Sequence, residues 1–117
     1  DVSEVAVQLM EISEDPTTII LEGACRLAKN LIAEDGTIGI RVVKHPLLTP
    51  LLKKLNKPLV STSANLSNQP TAKTFDEINE EILTSVDYIV EYGRDQLAGE
   101  PSKIIKLSKS GEIKIIR

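Results

Sequence analysis

The 117-residue sequence lacks several residue types on which common protein functions depend. It contains no tryptophan, one cysteine, one histidine and only 3% aromatic residues. The single cysteine, Cys25, cannot form an internal disulfide, which argues against a disulfide-stapled secreted fold. One cysteine and one histidine, His45, are too few for a structural zinc site and a poor basis for a Cys–His nucleophile pair. No apolar run approaches the length of a membrane span. We therefore expect a cytoplasmic protein without a membrane segment.

The composition predicts a globular domain with an aliphatic core. Apolar residues make up 41% of the sequence and charged residues 26%, which are ordinary values for a soluble domain. With so few aromatics, isoleucine, leucine and valine must fill the interior. The net charge of −3 argues against a broad basic surface for nucleic acid, although a local basic groove stays open.

Hydrophobic spacing predicts helices and strands in alternation. The predicted helices are 2–12, 46–55 and 74–86, and the predicted strands are 17–21, 37–42, 59–60, 88–90, 103–107 and 112–116. The last two strands flank Ser110-Gly111, which is typical of a hairpin turn. This order predicts an α/β layer structure with a mixed sheet.

The polar loop after Val60 is the strongest local indication of a site. Ser61, Ser63 and Asn65 are among five small polar residues within seven positions. Ligands bind beyond the carboxyl ends of strands in open α/β sheets, and hydroxyls, amides and backbone N–H groups suit phosphate oxygens or hydrated Mg²⁺. The same residue types are preferred in turns and helix caps, so this alternative stays open.

Arg41 is the second candidate, on the strand face that it shares with Gly39. A guanidinium there could bind a carboxylate or phosphate through two hydrogen bonds, or it could form an ordinary surface ion pair. Thr18 and Ser102 could contribute hydroxyls, although the residue types alone favour ordinary strand and turn roles.

Four segments in order resemble the YrdC family. Residues 57–67 resemble the family's strand that is followed by Ser-Ala-Asn-x-Ser, and residues 36–46 resemble its G-x-G-x-R-x-P-x-H-P segment. Residues 15–18 resemble its P-G-P-x-T turn, and residues 101–105 resemble its P-S-T-V-V-D strand. The order and spacing agree from Pro16 to Arg117. The chain departs from the pattern at Asp15, Val43, Asn68, Lys103 and Lys106. Lys106 replaces an aspartate and inverts its charge, which weakens the assignment of Ser102.

The resemblance also implies which part of the family's domain is present. The family's N-terminal half carries a threonine-binding turn and a Lys/Arg pair for the nucleotide phosphates, and nothing here matches them. Residues 1–117 are therefore interpreted as the C-terminal part of a single YrdC-like domain. Its twisted mixed β-sheet with flanking helices would be incomplete on the N-terminal side, and we expect this piece to be inactive alone. An exposed apolar face would favour a homodimer.

The activity implied by the resemblance is that of an ATP-using synthase. Such an enzyme condenses L-threonine, bicarbonate and ATP to threonylcarbamoyl-AMP and pyrophosphate, for threonylcarbamoyladenosine modification of tRNA. Its implied partners are a tRNA threonylcarbamoyl-transferase and tRNA or double-stranded RNA. No residue acts as a nucleophile in this hypothesis, and ATP enters as substrate with Mg²⁺ near Ser63 and Asn65. The binding residues carried over by the motifs are Thr18, Arg41, Ser61, Ser63, Asn65 and Ser102.

Three alternatives stay open on the sequence alone. The first is a YrdC-like paralogue that binds nucleotide or RNA without synthase activity. The second is a carbamoyl-transfer domain of a larger maturation protein. The third is a fragment that only binds a partner.

Overall fold

The computed structural model describes residues 2–117, in which the helices and strands follow one another in the order helix, two strands, two helices and two strands, with short 3₁₀ turns between them. The helices are α1 (Glu4–Ile12), α2 (Leu48–Leu55) and α3 (Glu80–Ser85), and the strands are β1 (Thr17–Leu21), β2 (Ile38–Arg41), β3 (Lys103–Leu107) and β4 (Ile113–Ile115). The predicted α/β class is confirmed. Within the described residues, no helix has the length and hydropathy that a membrane span requires.

The chain forms two compact units. The sheet unit consists of Asp1–Asn56 together with Pro101–Arg117, and the inserted unit consists of Lys57–Glu100. All four strands belong to the sheet unit. The inserted unit contains α3 and connecting loops.

The sheet is mixed, as the alternation of elements predicted. Its strand order is β2-β1-β3-β4, with β1 antiparallel to β2 and parallel to β3, and β3 antiparallel to β4. The parallel pair joins segments that are far apart in sequence. As a consequence, residues near the start of β1 and the start of β3 become neighbours.

Helix α1 covers one face of this sheet. Ser3 caps the helix, because its Oγ accepts a hydrogen bond from Ala6 N at 3.2 Å. Ala6 and Met10 are the buried residues of the helix, and they form the core together with Ile19 and Leu107 of the sheet. Because side chains alternate along a strand, the intervening residues lie on the other face, which we call the open face.

The hairpin of β3 and β4 has two special backbone features. Gly111 has a φ of +86°, which suits glycine, and its N–H donates to Ser108 O at 3.0 Å. At the other end, the N–H groups of Ile116 and Arg117 both donate to Ile104 O, at 2.8 and 3.3 Å. Two residues opposite one define a β-bulge, which changes the direction of the bulged strand.

Two predicted strands are absent from the described residues of the inserted unit. Residues 59–60 and 88–90 have extended sequence patterns, but neither forms a ladder. Leu59 is 55% exposed, Val60 67% and Tyr88 77%. The apolar pattern indicates burial, but burial requires a neighbouring strand, and the described chain supplies none at these positions.

The helix predicted over 74–86 is also divided. A 3₁₀ turn covers Phe75–Glu77, and α3 begins only at Glu80, with Asn79 Oδ1 accepting from Glu81 N at 2.8 Å. Thr74 and Glu77 have the residue types and spacing of a capping box but do not form one, because Glu77 Oε2 accepts instead from Lys73 N at 2.8 Å. Asn79 is a strong N-cap residue and starts a new helix at its own position.

Candidate functional site

The six predicted binding residues divide between the two units. Those in the sheet unit are Thr18, Arg41 and Ser102, and those in the inserted unit are Ser61, Ser63 and Asn65. The two groups are therefore described separately.

In the sheet unit, Thr18 and Ser102 are in direct contact. Their hydroxyl oxygens lie 2.8 Å apart, within hydrogen-bond distance, although 84 positions separate them in sequence. The cause is the parallel pairing of β1 with β3, which sets Thr18 opposite Ile104, two residues beyond Ser102. Each hydroxyl retains capacity for a further hydrogen bond, so the pair can bind a polar ligand at the open face.

Arg41 lies beside this hydroxyl pair in the strand register. It is the cross-strand partner of Thr18, so the two side chains share the open face. A Cβ atom added at Gly39 would lie 3.2 Å from Thr18 Cγ2, so glycine leaves room there for the threonine methyl group. Arg41 is exposed, and no hydrogen bond or ion pair to another of residues 2–117 engages its guanidinium. Its five donors are therefore available for an anion.

A further cation, Arg117, was not selected by the sequence analysis. Its Nε and Nη2 donate to Ser102 O at 3.2 and 2.9 Å. The bulge at the end of β4 places Arg117 next to Ser102, whose hydroxyl contacts Thr18. No local motif marks a bulge that depends on strand pairing, so the sequence offered no signal for this contact.

Lys106 lies on the open face where the family pattern has an aspartate. Its Nζ is 3.5 Å from Asp35 Oδ2, and its cross-strand neighbour is another cation, Lys114. Like charges directly opposite each other are unfavourable, and Asp35 offsets part of this repulsion. The positive charge of Lys106, which replaces the aspartate of the family pattern on β3, is thus compensated by the Asp35 carboxylate from the turn before β2.

The Asp35 carboxyl is held in its ionised form. The Thr37 hydroxyl and the Thr37 N–H donate to Oδ1 at 2.6 and 3.1 Å, and these bonds keep the pKa of Asp35 below its ordinary value of 3.8, with a smaller contribution from Lys106. Since the folded pKa is depressed, the stabilisation is present above about pH 4 and is lost as pH falls through the folded value.

Asp35→Asn is therefore expected to be destabilising near neutral pH and to approach the parent chain in stability as pH falls through the lowered pKa of Asp35 in the folded state. Urea unfolding across pH 2–7 measures the difference between the two proteins. A difference that persists unchanged to pH 2 would contradict the role given to the ionised carboxylate.

In the inserted unit, the Ser-Ala-Asn-x-Ser loop is organised by Asn65. Its Nδ2 donates to Leu66 O at 3.0 Å and to Gln69 O at 3.1 Å. Its Oδ1 is a buried acceptor without a hydrogen-bond partner, the one such side-chain atom among the described residues. Ser61 and Ser63 are exposed. The loop therefore presents free hydroxyls next to an unsatisfied amide oxygen, which a donor from a ligand or water would stabilise.

A cleft of about 300 Å³ borders this loop within the same unit. Its lining includes Ala64 from the loop, the Phe75 ring, and Tyr92, Arg94 and Gln96 from the segment after residue 90. The Arg94 guanidinium carbon lies 4.7 Å from the centroid of the Phe75 ring, a cation–π distance. The cleft thus has planar walls and polar groups, which suit a flat heterocycle.

The described residues do not assemble a metal centre of their own. No group of three or more His, Cys, Asp or Glu side chains that could hold an ion occurs within 2–117. Cys25, the lone cysteine, is exposed.

The family model described as "Telomere recombination" (Sua5/YciO/YrdC) matches residues 1–117. No solved structure matches the chain significantly.

Curated relatives are similar over most of this chain. A protein of Methanocaldococcus jannaschii is 37% identical over 100 residues, which are 86% of this chain and 45% of that protein. The threonylcarbamoyl-AMP synthase of Vibrio vulnificus (strain YJ016) is 32% identical over 76% of this chain and 47% of that protein. The threonylcarbamoyl-AMP synthase of Dichelobacter nodosus is 33% identical over 84% of this chain and 50% of that protein. The chain spans about half the length of these relatives. Because the family model covers all 117 residues, the chain belongs to the Sua5/YciO/YrdC family.

Proposed function

We propose that this chain supplies part of the substrate site of a threonylcarbamoyl-AMP synthase. In the proposed reaction, the amine of L-threonine and bicarbonate form threonylcarbamate with loss of water. The carbamate oxygen then attacks the α-phosphorus of ATP, and the bond to the β-phosphate bridging oxygen breaks, which releases pyrophosphate. The observation that carries this proposal is the similarity to curated proteins that bear this name.

The geometry of the sheet unit supports an anion-binding role on the open face. The hydroxyls of Thr18 and Ser102 are paired, Arg41 is the cross-strand partner of Thr18 on the same face, and Arg117 fixes the Ser102 backbone. Such a group can orient a carboxylate or phosphate and stabilise the charge that develops on it. Positioning and charge stabilisation are what an adenylate-forming reaction requires from a protein.

The geometry of the inserted unit supports a nucleotide-binding role. The hydroxyls of Ser61 and Ser63 and the amide of Asn65 suit phosphate oxygens. The cleft that begins at Ala64 suits the base. The ATP site proposed from the motif therefore has a polar part and a planar part in one unit.

The loop fits Mg²⁺ only as an ion that arrives with the nucleotide. Residues 61–70 contain no carboxylate, and Asn65 Oδ1 is their only unsatisfied buried acceptor. Mg²⁺ commonly keeps several waters and binds through substrate phosphates, so the loop needs to contribute at most one oxygen. The ion would supply charge neutralisation on the phosphates.

The partners proposed for this function follow from its product. A tRNA threonylcarbamoyl-transferase would accept the adenylate, and tRNA would be the final acceptor. We also propose a cytoplasmic location, where the product would meet the transferase and tRNA. Direct contact with tRNA or double-stranded RNA, and self-association as a homodimer, are further proposals that gel-shift and light-scattering measurements would test.

Pyrophosphate release tests the proposed function. We expect the longest natural polypeptide that contains this chain to release pyrophosphate from ATP only when both L-threonine and bicarbonate are present. The 117-residue chain, measured beside it, is expected to release none. ATP binding without pyrophosphate release by the longer polypeptide would overturn the synthase proposal and favour a nucleotide-binding paralogue.

A further inference from the structure

The cleft of the inserted unit has a wall that is fixed from two sides. Besides its contact with Phe75, the Arg94 guanidinium donates through Nε to Val90 O at 3.1 Å and through Nη2 to Ile89 O at 3.2 Å. The guanidinium is thereby held over the Phe75 ring. A planar base can stack on the outer face of an arginine held in this way.

Gln96 adds an amide to the same cleft. Its backbone N–H donates to Gly93 O at 3.1 Å, which closes a tight turn. A Cβ atom at Gly93 would lie 3.2 Å from Gln96 Oε1, and Gly93 has a φ of +73°. Glycine therefore permits both the turn and the close approach of the amide. No hydrogen bond to another described residue engages the Gln96 side chain, so its acceptor and its donors are free.

We propose that Gln96 makes this cleft selective for adenine, an inference that rests on the proposed nucleotide site. A glutamine amide presents an acceptor and a donor side by side. Adenine presents the complementary pair along one edge, the N6 amino donor and the N7 acceptor, whereas guanine and hypoxanthine present two acceptors there. Gln96 can form two hydrogen bonds with adenine at this edge and only one with the 6-oxo purines.

The place of the cleft in the chain supports a nucleotide as its occupant. Ala64 lines the cleft and lies between Ser63 and Asn65 in the polar loop. A nucleotide with its phosphates at this loop has a planar cleft next to it. A cleft of about 300 Å³ is large enough for one ring system with its sugar.

The test compares ATP with two analogues that alter the adenine edge one atom at a time. Inosine triphosphate replaces the N6 amino donor by an acceptor, and 7-deaza-ATP lacks the N7 acceptor. Binding is measured by calorimetry on the longest natural polypeptide that contains the chain, with Gln96→Met and the matched control Gln8→Met, which alters an exposed glutamine of α1. The parent protein and the control are expected to bind ATP about 10-fold or more tightly than either analogue, since a bidentate pair discriminates by this order.

Gln96→Met is expected to reduce this preference for ATP to about 2-fold or less, mainly by weakening the binding of ATP. Methionine keeps the size of the side chain and removes both hydrogen-bonding groups. Equal binding of ATP and inosine triphosphate by the parent protein would overturn the inference and leave the proposed function standing. Loss of affinity for all three nucleotides in equal proportion would assign Gln96 to shape rather than to selectivity, and would also overturn it. Absence of binding by every nucleotide would overturn the proposed function itself.

Discussion

Replacing Arg41 by alanine is expected to lower kcat/KM for pyrophosphate release about 100- to 1000-fold while leaving the stability of the fold unchanged. The activity loss follows from the removal of a charged donor carried by the cross-strand partner of Thr18, whose hydroxyl pairs with that of Ser102. A loss of this size is found when one group that stabilises developing charge is deleted. The unchanged stability follows from the exposure of Arg41, which has no hydrogen bond or ion pair within residues 2–117. Steady-state kinetics and urea unfolding of the longest natural polypeptide measure the two quantities.

Two further variants give this prediction its control. Arg41→Lys keeps the charge but loses the two-pronged donor geometry, so it is expected to recover only part of the activity. Arg26 is another exposed arginine of the sheet unit, has a φ of +58° and lies outside the strands, so Arg26→Gly is expected to retain full activity. Full activity in Arg41→Ala would remove Arg41 from the site, and an equal loss in Arg26→Gly would reduce the effect to one of net charge.

The sheet could be predicted from the sequence because its signal is local. Alternation along 37–42 placed Arg41 and Gly39 on the face opposite Ile38 and Ile40, and the structure has the same alternation. The turn at Ser110-Gly111 was visible for the same reason. Which strands pair is a non-local property, yet the motif order already placed Thr18 and Ser102 in one hypothetical site.

The strands predicted at 59–60 and 88–90 failed for a non-local reason. Their apolar residues indicate that these segments are compatible with a sheet, but a strand needs a partner for its backbone groups. Leu59, Val60 and Tyr88 are instead more than half exposed. Sequence pattern alone does not distinguish a segment that has a partner from one that lacks it.

The positions of the Arg117 and Gln96 side chains could not be predicted from the sequence, for a different reason. The first depends on a bulge that forms only when β4 pairs with β3. The second depends on a turn at Gly93 that brings the Gln96 amide close to the Gly93 backbone. In both cases an ordinary polar residue is placed by backbone geometry rather than by a recognisable motif.

The stability of the sheet unit depends on a small core, so Ile19→Ala is expected to have a large effect. Ile19 is fully buried at the centre of the sheet, and only Ala6, Met10 and Leu107 share the buried apolar core of the described residues. Removing three methyl or methylene groups from such a position costs about 2–5 kcal/mol. That is a large share of the roughly 5–15 kcal/mol that stabilise an ordinary domain.

Ile20 provides the matched control, because it is the next residue of the same strand and faces the other side of the sheet. It is half-buried, so Ile20→Ala is expected to cost about half as much as Ile19→Ala, since less apolar area is returned to water. Urea unfolding of the 117-residue chain should be followed by circular dichroism, because the chain has no tryptophan and both tyrosines, Tyr88 and Tyr92, belong to the inserted unit. A larger loss in Ile20→Ala than in Ile19→Ala would place the core on the opposite face, and Thr18 and Arg41 would then lie on the buried side rather than on the open face.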